Sequence, residues 1–439
     1  MKVDFSQALG KIKPMHAVNN PPLTGGASYD KFCYLKQAGI PFVRLHDTGG
    51  PYGGHVYVDI PNLFRNFDAD ENDPASYDFA FTDAMLKEVC AQGSMPYFRL
   101  GVTIENYHYI KAYNIYPPKD FDKWARICER IIAHYNEGWA NGFHMGIEYW
   151  EIWNEPDNMP DIKDNPMWKG TFSEYVRLYD VSARYLKKCY PNLKIGGYSS
   201  CGFYAIFEGE FSSTAASSRR TEYFIECLDE FLAHVQKNKL PLDFFSWHSY
   251  SSTEKNIAYA RYIRKRLDDC GYTETETHLN EWNPSTAYRG TLHNAACIAE
   301  NLLVLQNEPV DMLMFYHGQA TASSYNGLFE SGSAKPYKAF YVFCAFNELY
   351  KRGTQVAVQE LPEEICCLAA KGEEGEALMI LNRGEQTQIS LDLLGTDAKE
   401  FVLLRINENE ELDKEYTVTA TDLATLNLAQ EEIVLIKSK

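Results

Sequence analysis

A (β/α)8 barrel carrying an appended all-β domain is the α/β fold class that the sequence predicts, on three observations. Eight short apolar runs alternate with longer segments of helical period, and the connections after the runs are long while those before them are tight. From Thr354 onward the pattern changes to short strand-like runs broken by Gly and Asn.

The eight runs are Ile12 to Val18, Phe42 to His46, Met95 to Gly101, Ile147 to Trp153, Leu193 to Gly197, Asp243 to His248, Thr277 to Asn280 and Asp311 to Tyr316. The clearest helical stripe between them is Phe121, Trp124, Ala125, Cys128, Ile131, Ile132 and Tyr135, at i, i+3, i+4, i+7 spacing. Gly39, Gly93 and Gly271 each follow such a segment, where a left-handed C-cap is expected. The eight units span roughly 300 residues, compatible with a fold of about 250 residues that carries insertions. The insertions, at 47–76, 102–119, 199–220 and 317–336, follow strands, and in such barrels that side is the active one. The barrel is therefore expected over residues 11–336 and a connecting helix over 337–351. The β-rich domain takes 352–439, to which residues 1–10 lend the strand Val3 to Phe5.

The chain has 439 residues, 45% apolar and 23% charged, and no run reaches the roughly eighteen apolar residues of a membrane span. Its net charge of −18 repels phosphate backbones and anionic lipid, so neither nucleic acid nor a membrane is an expected partner. The aromatic share of 14% suits flat ligand faces such as sugar rings. Eleven cysteines with no CxxC read as reduced thiols, and Met1 to Gly10 lacks the basic stretch and apolar block of an export signal. Both point to the cytoplasm.

Two strand ends carry chemistry. The fourth run closes with Tyr149-Trp150-Glu151-Ile152-Trp153-Asn154-Glu155-Pro156-Asp157, the seventh with Thr277-His278-Leu279-Asn280-Glu281-Trp282-Asn283. In a barrel these ends face each other across the mouth, where glycoside hydrolysis needs a proton donor and a nucleophile. One Glu after a strand is ordinarily a solvated or ion-paired carboxylate; two in this context outweigh that reading. Strict alternation puts Asn154 and Glu155 on opposite faces, so both reach the pocket only if the strand ends or bulges there, which Pro156 favours. Glu151, one pleat deeper, reads as a buried structural carboxylate that needs Arg44 or Arg99 as its partner.

The ordered series of strand-end signatures resembles glycoside hydrolase family 39 of clan A. It comprises Val43-Arg44-Leu45-His46-Asp47, Tyr77-Asp78-Phe79 through Gly93 to Pro96-Tyr97-Phe98, Asn154-Glu155-Pro156, Gly196-Gly197, Asp243 through Tyr250, and Glu281-Trp282-Asn283. The likeness covers nearly the whole barrel. It implies a β-sandwich packed on the barrel, no cofactor or metal, Glu155 as general acid/base, Glu281 as nucleophile, net retention of anomeric configuration, and Asn154 on the sugar 2-hydroxyl.

The chemistry of these residues sets its own demands. Glu155 must hold a proton near neutral pH, which takes desolvated or anionic surroundings, whereas Glu281 must stay ionised beside cationic or hydrogen-bond donors, with Arg44 and Tyr250 as candidates. Arg44 equally suits a plain ion pair below the site. His46 and His248 close strands two and six, where an imidazole donates to a sugar hydroxyl, orients a carboxylate, or is simply a satisfied core histidine. Trp247, Trp282, Phe315 and Tyr316 are candidates to stack on a sugar, while Trp153 and Phe98 read as barrel filling. Asp47 and His317 are further candidate sugar contacts; Glu105 reads rather as a surface or ion-paired residue.

Other chemistries lack their residues. Gly49 to Gly54 is glycine-rich after a strand but no Lys-Ser or Lys-Thr follows, so a flexible lid is the preferred reading. There is no HxH on an early strand, no HExxH, no cysteine cluster and no GxSxG elbow. The expectation is a retaining glycosidase with a closed pocket, exo-acting on short oligosaccharides or small glycosides. A non-catalytic carbohydrate-binding or sensing barrel is the alternative, against which both Glu residues stand in place. The resemblance admits β-xylosides, α-L-iduronides and arabinosides. Asp47 stands where the better-known xylosidases have a small residue, and the charge of −18 disfavours polyanions, so the sequence leans to a neutral pentose or hexose. Arg99 and Arg289 are the residues that would hold a uronate, and self-association through the β-sandwich stays open.

Overall fold

The computed structural model describes residues 1–24, 28–48, 58–104, 114–207, 218–284, 286–320, 325 and 327–439. After strand β1 (Lys2–Lys11) the chain winds through β2 (Ala17–Asn19), α1 (Cys33–Gln37), β3 (Phe42–Leu45), α2 (Ile60–Leu63), α3 (Ala80–Ala91), β4 (Met95–Leu100), α4 (Phe121–Glu137) and β5 (Tyr149–Ile152). It continues through α5 (Phe172–Cys189), β6 (Lys194–Ser200), α6 (Ser218–Asn238), β7 (Phe244–Ser249), α7 (Thr253–Asp269), β8 (Glu276–Trp282), α8 (Leu292–Leu305), β9 (Met312–Phe315) and α9 (Lys338–Arg352). Strands β2 to β9 pair in order and β9 closes onto β2, all parallel, making a closed eight-stranded barrel.

Local chemistry marks the element ends. The Asp120 side chain accepts from the Lys123 amide at the start of α4, and Gly138 ends that helix at φ 78°. Thr171 and Glu174 form a capping box on α5. The stripe read from sequence on α4 is buried: Trp124, Ala125, Cys128, Ile131, Ile132 and Tyr135 face inward, with Phe121 half-buried at its edge.

The pleat layers the barrel interior. Ala17, Tyr97, Tyr149, Phe244, Met312 and Met314 form one apolar cluster, with His278 stacked on Phe244 and 3.2 Å from the Tyr97 hydroxyl. Two residues further along five of these strands stand Asn19, Arg99, Glu151, Ser246 and Asn280, so the floor of the site is polar by the period of 2 alone. Because Tyr97 points inward, its neighbour Phe98 points out, and this corrects its reading as barrel filling: it stacks on Trp150 and packs on Tyr135 of α4. Trp153 likewise packs outside the barrel, between Trp124 and Trp168.

The first barrel strand is shorter than the run Ile12 to Val18. The Ile12 amide donates to the Gly353 carbonyl at 2.8 Å and Pro14 has no N–H to give, so the ladder begins only at Ala17.

Beyond α9 come β10 (Thr354–Gln359), β11 (Ile365–Gly372), β12 (Gly375–Asn382), β13 (Thr387–Ile389), β14 (Asp392–Leu394), β15 (Glu400–Ile406), β16 (Tyr416–Thr419), α10 (Ala420–Leu423), β17 (Leu426–Leu428) and β18 (Ile433–Ser438). They form a sheet of order β14-β1-β10-β11-β12-β18-β15-β16 and a two-stranded sheet β13-β17. Val3, Phe5, Ile380, Phe401, Leu428 and Ile436 lie in the core of this second unit. Among the described residues no helix is long and apolar enough to cross a membrane.

Candidate active site

The floor of the site is built on Arg44, which is wholly buried. Its Nε donates to Glu151 Oε2 at 2.8 Å, Nη1 to Asn19 Oδ1 at 2.9 Å, and Nη2 to Asn154 Oδ1 at 2.6 Å and Ser199 Oγ at 2.9 Å. The other Glu151 oxygen accepts from Ser199 Oγ at 2.6 Å, Ser246 Oγ at 2.6 Å and Asn280 Nδ2 at 2.5 Å. Burial alone would raise the Glu151 carboxyl, but Arg44 and the serine donors outweigh it and hold the group below the usual carboxylate range. Arg99, the other partner considered, instead pairs with Asp59 at 2.8 Å.

Two backbone devices lift the paired Glu residues to the mouth. Strand β5 ends at Ile152, and Trp153 at φ 73° and Glu155 at φ 45° both occupy the left-handed region, so alternation is broken and Asn154 and Glu155 both face inward. The Glu155 amide donates to the Ser199 carbonyl at 3.1 Å, fixing the turn. On β8 the register against β7 passes from Leu279–Trp247 to Glu281–His248, skipping Asn280. That bulge lets Asn280 reach down to Glu151 while its neighbour Glu281 reaches the mouth.

There Glu281 Oε1 accepts from the Tyr250 hydroxyl and Oε2 lies 3.4 Å from Arg44 Nη1. Glu155 Oε1 meets His248 Nδ1 at 2.7 Å, and its Oε2 accepts from Asn158 Nδ2 at 2.7 Å. His248 Nε2 is 3.6 Å from Glu281 Oε2, and one oxygen of each carboxylate and a nitrogen of the histidine all lie within 4.8 Å of one another. In the free protein the two carboxyls are shifted in directions opposite to the catalytic demand. His248 outweighs burial and holds Glu155 low, whereas burial pushes Glu281 up, against His248, Arg44 and Tyr250 pulling it down. Burial lowers His248, but the two carboxylates outweigh it and raise the imidazole above its usual value.

The wall beside Glu281 is aromatic. Tyr250 packs on Tyr325 and Tyr325 on Tyr316, whose hydroxyl donates to Asp47 Oδ2 at 2.7 Å. Asp47 lies two residues past β3 at φ 56°, with Oδ1 3.4 Å from His46 Nε2. Burial and the nearby Arg44 and Arg99 keep His46 neutral. His317, buried against the Tyr316 ring, accepts from the Gln319 amide at 3.1 Å, and burial lowers it to about 4.

Three expectations fail on geometry. Trp247 alternates with the inward Ser246 and His248, so it points into the helix layer and packs on Phe203 and Tyr259, not on the pocket. Trp282, wholly buried, packs edge-on against Phe315, which itself packs on Phe343 of α9, so neither Trp282 nor Phe315 faces a sugar. Arg99 is wholly buried and paired with Asp59, which removes it as a uronate ligand. Glu105 and the segment 49–54 lie outside the described residues.

Sequence reasoning passed over Ser199, Ser246 and Asn280, although the period of 2 from Tyr149 and His278 marks the latter's strand position. It also passed over Asn158, three residues after Glu155, and Tyr325, which sits in a long loop without periodicity.

The chain is similar to known proteins in both sequence and fold. Two β-xylosidases are similar in sequence: that of Caldicellulosiruptor saccharolyticus is 24% identical over 98% of this chain and 90% of its own, that of Geobacillus stearothermophilus 22% identical over 78% and 70%. Among solved structures, a glucosidase from Croceicoccus marinus superposes with TM-score 0.78 at 21% identity, covering 100% of this chain and 98% of that one. A family 39 β-xylosidase from Caulobacter crescentus gives 0.70 at 17%, covering 100% and 99%. The model of glycosyl hydrolases family 39 matches residues 28–351, and the chain belongs to that family of O-glycosyl hydrolases.

Proposed function

We propose that the protein is a retaining, exo-acting glycosidase of small neutral glycosides, β-xylosides and β-glucosides first among them, with Glu281 as nucleophile and Glu155 as acid/base. The observation that carries the reading is the closeness of the two carboxylates, with oxygens within 4.8 Å of each other. Retaining enzymes hold their two carboxyl groups about 5–5.5 Å apart and inverting ones about 6.5–9.5 Å, with room for a water, and an approach of one oxygen of each within 4.8 Å favours the former. The relatives named as β-xylosidases and the fold neighbour named as a glucosidase support a neutral sugar.

Glu281 attacks the anomeric carbon as the bond to the leaving oxygen breaks, and Glu155 protonates that oxygen. In the second half Glu155 takes a proton from water, the water oxygen bonds to the anomeric carbon, and Glu281 departs. The group that can pass Glu155 its proton is His248, whose Nδ1 lies 2.7 Å from Glu155 Oε1. A bound sugar excludes water, and a drier site disfavours an imidazolium–carboxylate ion pair relative to a neutral imidazole and carboxylic acid, so binding itself arms Glu155. Arg44 takes the Asn154 carbonyl, which leaves the Asn154 amide as a donor toward the sugar 2-hydroxyl. Tyr250, Tyr316 and Tyr325 offer the stacking wall, and Asp47, His46 and His317 the polar edge. Acting in the cytoplasm, the enzyme meets glycosides small enough to be imported.

The test is hydrolysis of a nitrophenyl glycoside panel (β-xyloside, α-arabinosides, β-glucoside, β-galactoside, α-iduronide) by wild type, Glu155→Ala and Glu281→Ala. Turnover of a neutral glycoside, with azide rescuing Glu281→Ala as a glycosyl azide of inverted configuration, supports the reading. Silence across the panel, with sugar still bound, overturns it in favour of a binding barrel.

A further inference from the structure

We propose that the free protein holds a site for a zinc-type transition-metal ion between Glu281, His248 and Glu155, and that this ion and the sugar exclude each other. The three side chains come from three elements and present one oxygen, one nitrogen and one oxygen within 4.8 Å of one another. His248 is 1% exposed, and its Nε2 makes no hydrogen bond although it points at Glu281 Oε2, 3.6 Å away. Metal bonds of about 2.0–2.2 Å in a tetrahedral site set neighbouring donors roughly 3.3–3.6 Å apart, so that Nε2···Oε2 edge already has the length a zinc ion requires.

The rest of the cluster is arranged to support such an ion. His248 Nδ1 faces Glu155 Oε1 at 2.7 Å, and with Nδ1–H donating to that carboxylate and the Nε2 proton released on metal binding, Nε2 presents its lone pair. Glu155 then either orients the histidine or swings an oxygen onto the metal. Tyr250 occupies Glu281 Oε1, which leaves Oε2 as the coordinating oxygen. Two buried carboxylates and an imidazole make a mixed nitrogen and oxygen set. Zinc, copper and nickel take such a set, whereas calcium requires six to eight oxygens and magnesium a nearly ideal oxygen octahedron. Arg44, 3.4 Å from Glu281 Oε2, opposes the cation but is largely spent on Glu151, Asn19, Asn154 and Ser199. Both the sugar and the ion need Glu281 Oε2, so occupancy is mutually exclusive.

The experiment is calorimetric titration of ZnCl2 into the full chain, wild type beside Glu281→Gln and His248→Ala, each shown by circular dichroism to be folded. One zinc per chain in wild type, with affinity lowered at least about tenfold in each variant, is the expected result. Zinc held by exposed Cys33 or Cys189 survives both substitutions, and equal binding in wild type and both variants overturns the site. With a glycoside that is turned over, zinc is expected to raise KM without lowering kcat, while MgCl2 and CaCl2 at the same concentration do neither; a zinc effect on kcat alone overturns mutual exclusion. The titration requires no turnover, so a protein that hydrolyses nothing yet binds zinc here fails the reading of function and keeps this one. A protein that hydrolyses glycosides yet binds no zinc does the reverse.

Discussion

The floor and the mouth of the barrel lie four residues apart on the same stretch of chain, at Glu151 and Glu155, and they give a buried carboxylate different partners. At the floor, both Glu151 oxygens are met, one by Arg44 and the other by Ser199, Ser246 and Asn280. At the mouth, His248 Nε2, His46 Nδ1 and Asp47 Oδ1 are buried with no hydrogen bond. Buried polar atoms without a hydrogen bond are uncommon in folded proteins, and the floor has its own on Asn280 and Arg99; what differs is the company of the carboxylates, since Glu155 meets the titratable His248 where Glu151 meets the fixed cation Arg44.

The comparison breaks first if the mouth can be dismantled without loss of turnover. Glu281→Ala is expected to lower kcat by on the order of 10⁵-fold and the melting temperature only modestly, because Arg44, on losing Glu281, keeps Glu151 as its counter-charge. Steady-state kinetics beside a thermal melt checks both halves. A loss of activity matched by a loss of fold places Glu281 with the floor instead.

The floor answers in the other currency. Arg44→Met strips Glu151 of its cation and leaves a charge in the interior, expected to cost about 3–5 kcal/mol of stability, read from guanidinium unfolding. Activity falls as well, since Arg44 also touches Glu281 and Asn154, so the discriminating number is the unfolding midpoint. A midpoint that stays put means Glu151 carries its charge without Arg44.

Both regions were unequally legible in the sequence. The eight-unit alternation and the two Glu-bearing strand ends are local patterns, and local patterns survive into the fold: the barrel closes with those ends facing one another. Which aromatic faces the sugar is a question of parity at a strand end, and parity there was set by the β8 bulge and by Trp153 and Glu155 entering the left-handed region, neither of which composition announces. Hence the pattern brings Glu155 and Glu281 to the mouth, but puts Trp247, Trp282 and Phe315 on the wrong side and gives no sign of Tyr325, which packs between Tyr250 and Tyr316. The floor serines escaped notice because a short hydroxyl carries no pattern; only the geometry around Glu151 gives it a role.

Acidity sharpens the contrast further. Asp157 is buried beside the mouth, accepts from Ser200 Oγ at 3.0 Å, and burial together with the charge of Glu155 pushes it up to about 7. A raised carboxyl stabilises the fold fully below its unfolded value near 3.8 and loses that contribution as pH rises through about 7. Glu151 has the opposite sign: its contribution is present above 4.5 and is lost as pH falls through its lowered value. Asp157→Asn, which keeps the acceptor, is therefore expected to gain on wild type by a few kcal/mol between pH 5 and pH 8, measured by unfolding at both values. A difference between the two proteins that does not change with pH removes Asp157 from this role.

The smallest expected effect concerns the tryptophan that alternation turned away from the pocket. If Trp247 faced the sugar, Trp247→Phe would shrink the stacking surface and raise KM severalfold; facing Phe203 and Tyr259, it leaves kcat/KM within about twofold. Its stability change is the sum of two opposed terms. The smaller ring leaves a cavity in the layer between strand and helix, costing about 1–3 kcal/mol, while removal of the Trp247 Nε1–H, buried with no partner, returns about 1–2 kcal/mol of desolvation. A net loss of about 1 kcal/mol with unchanged kinetics places the residue behind the barrel. A rise in KM at unchanged stability places it in the mouth, and with it the parity of β7 on which His248 depends.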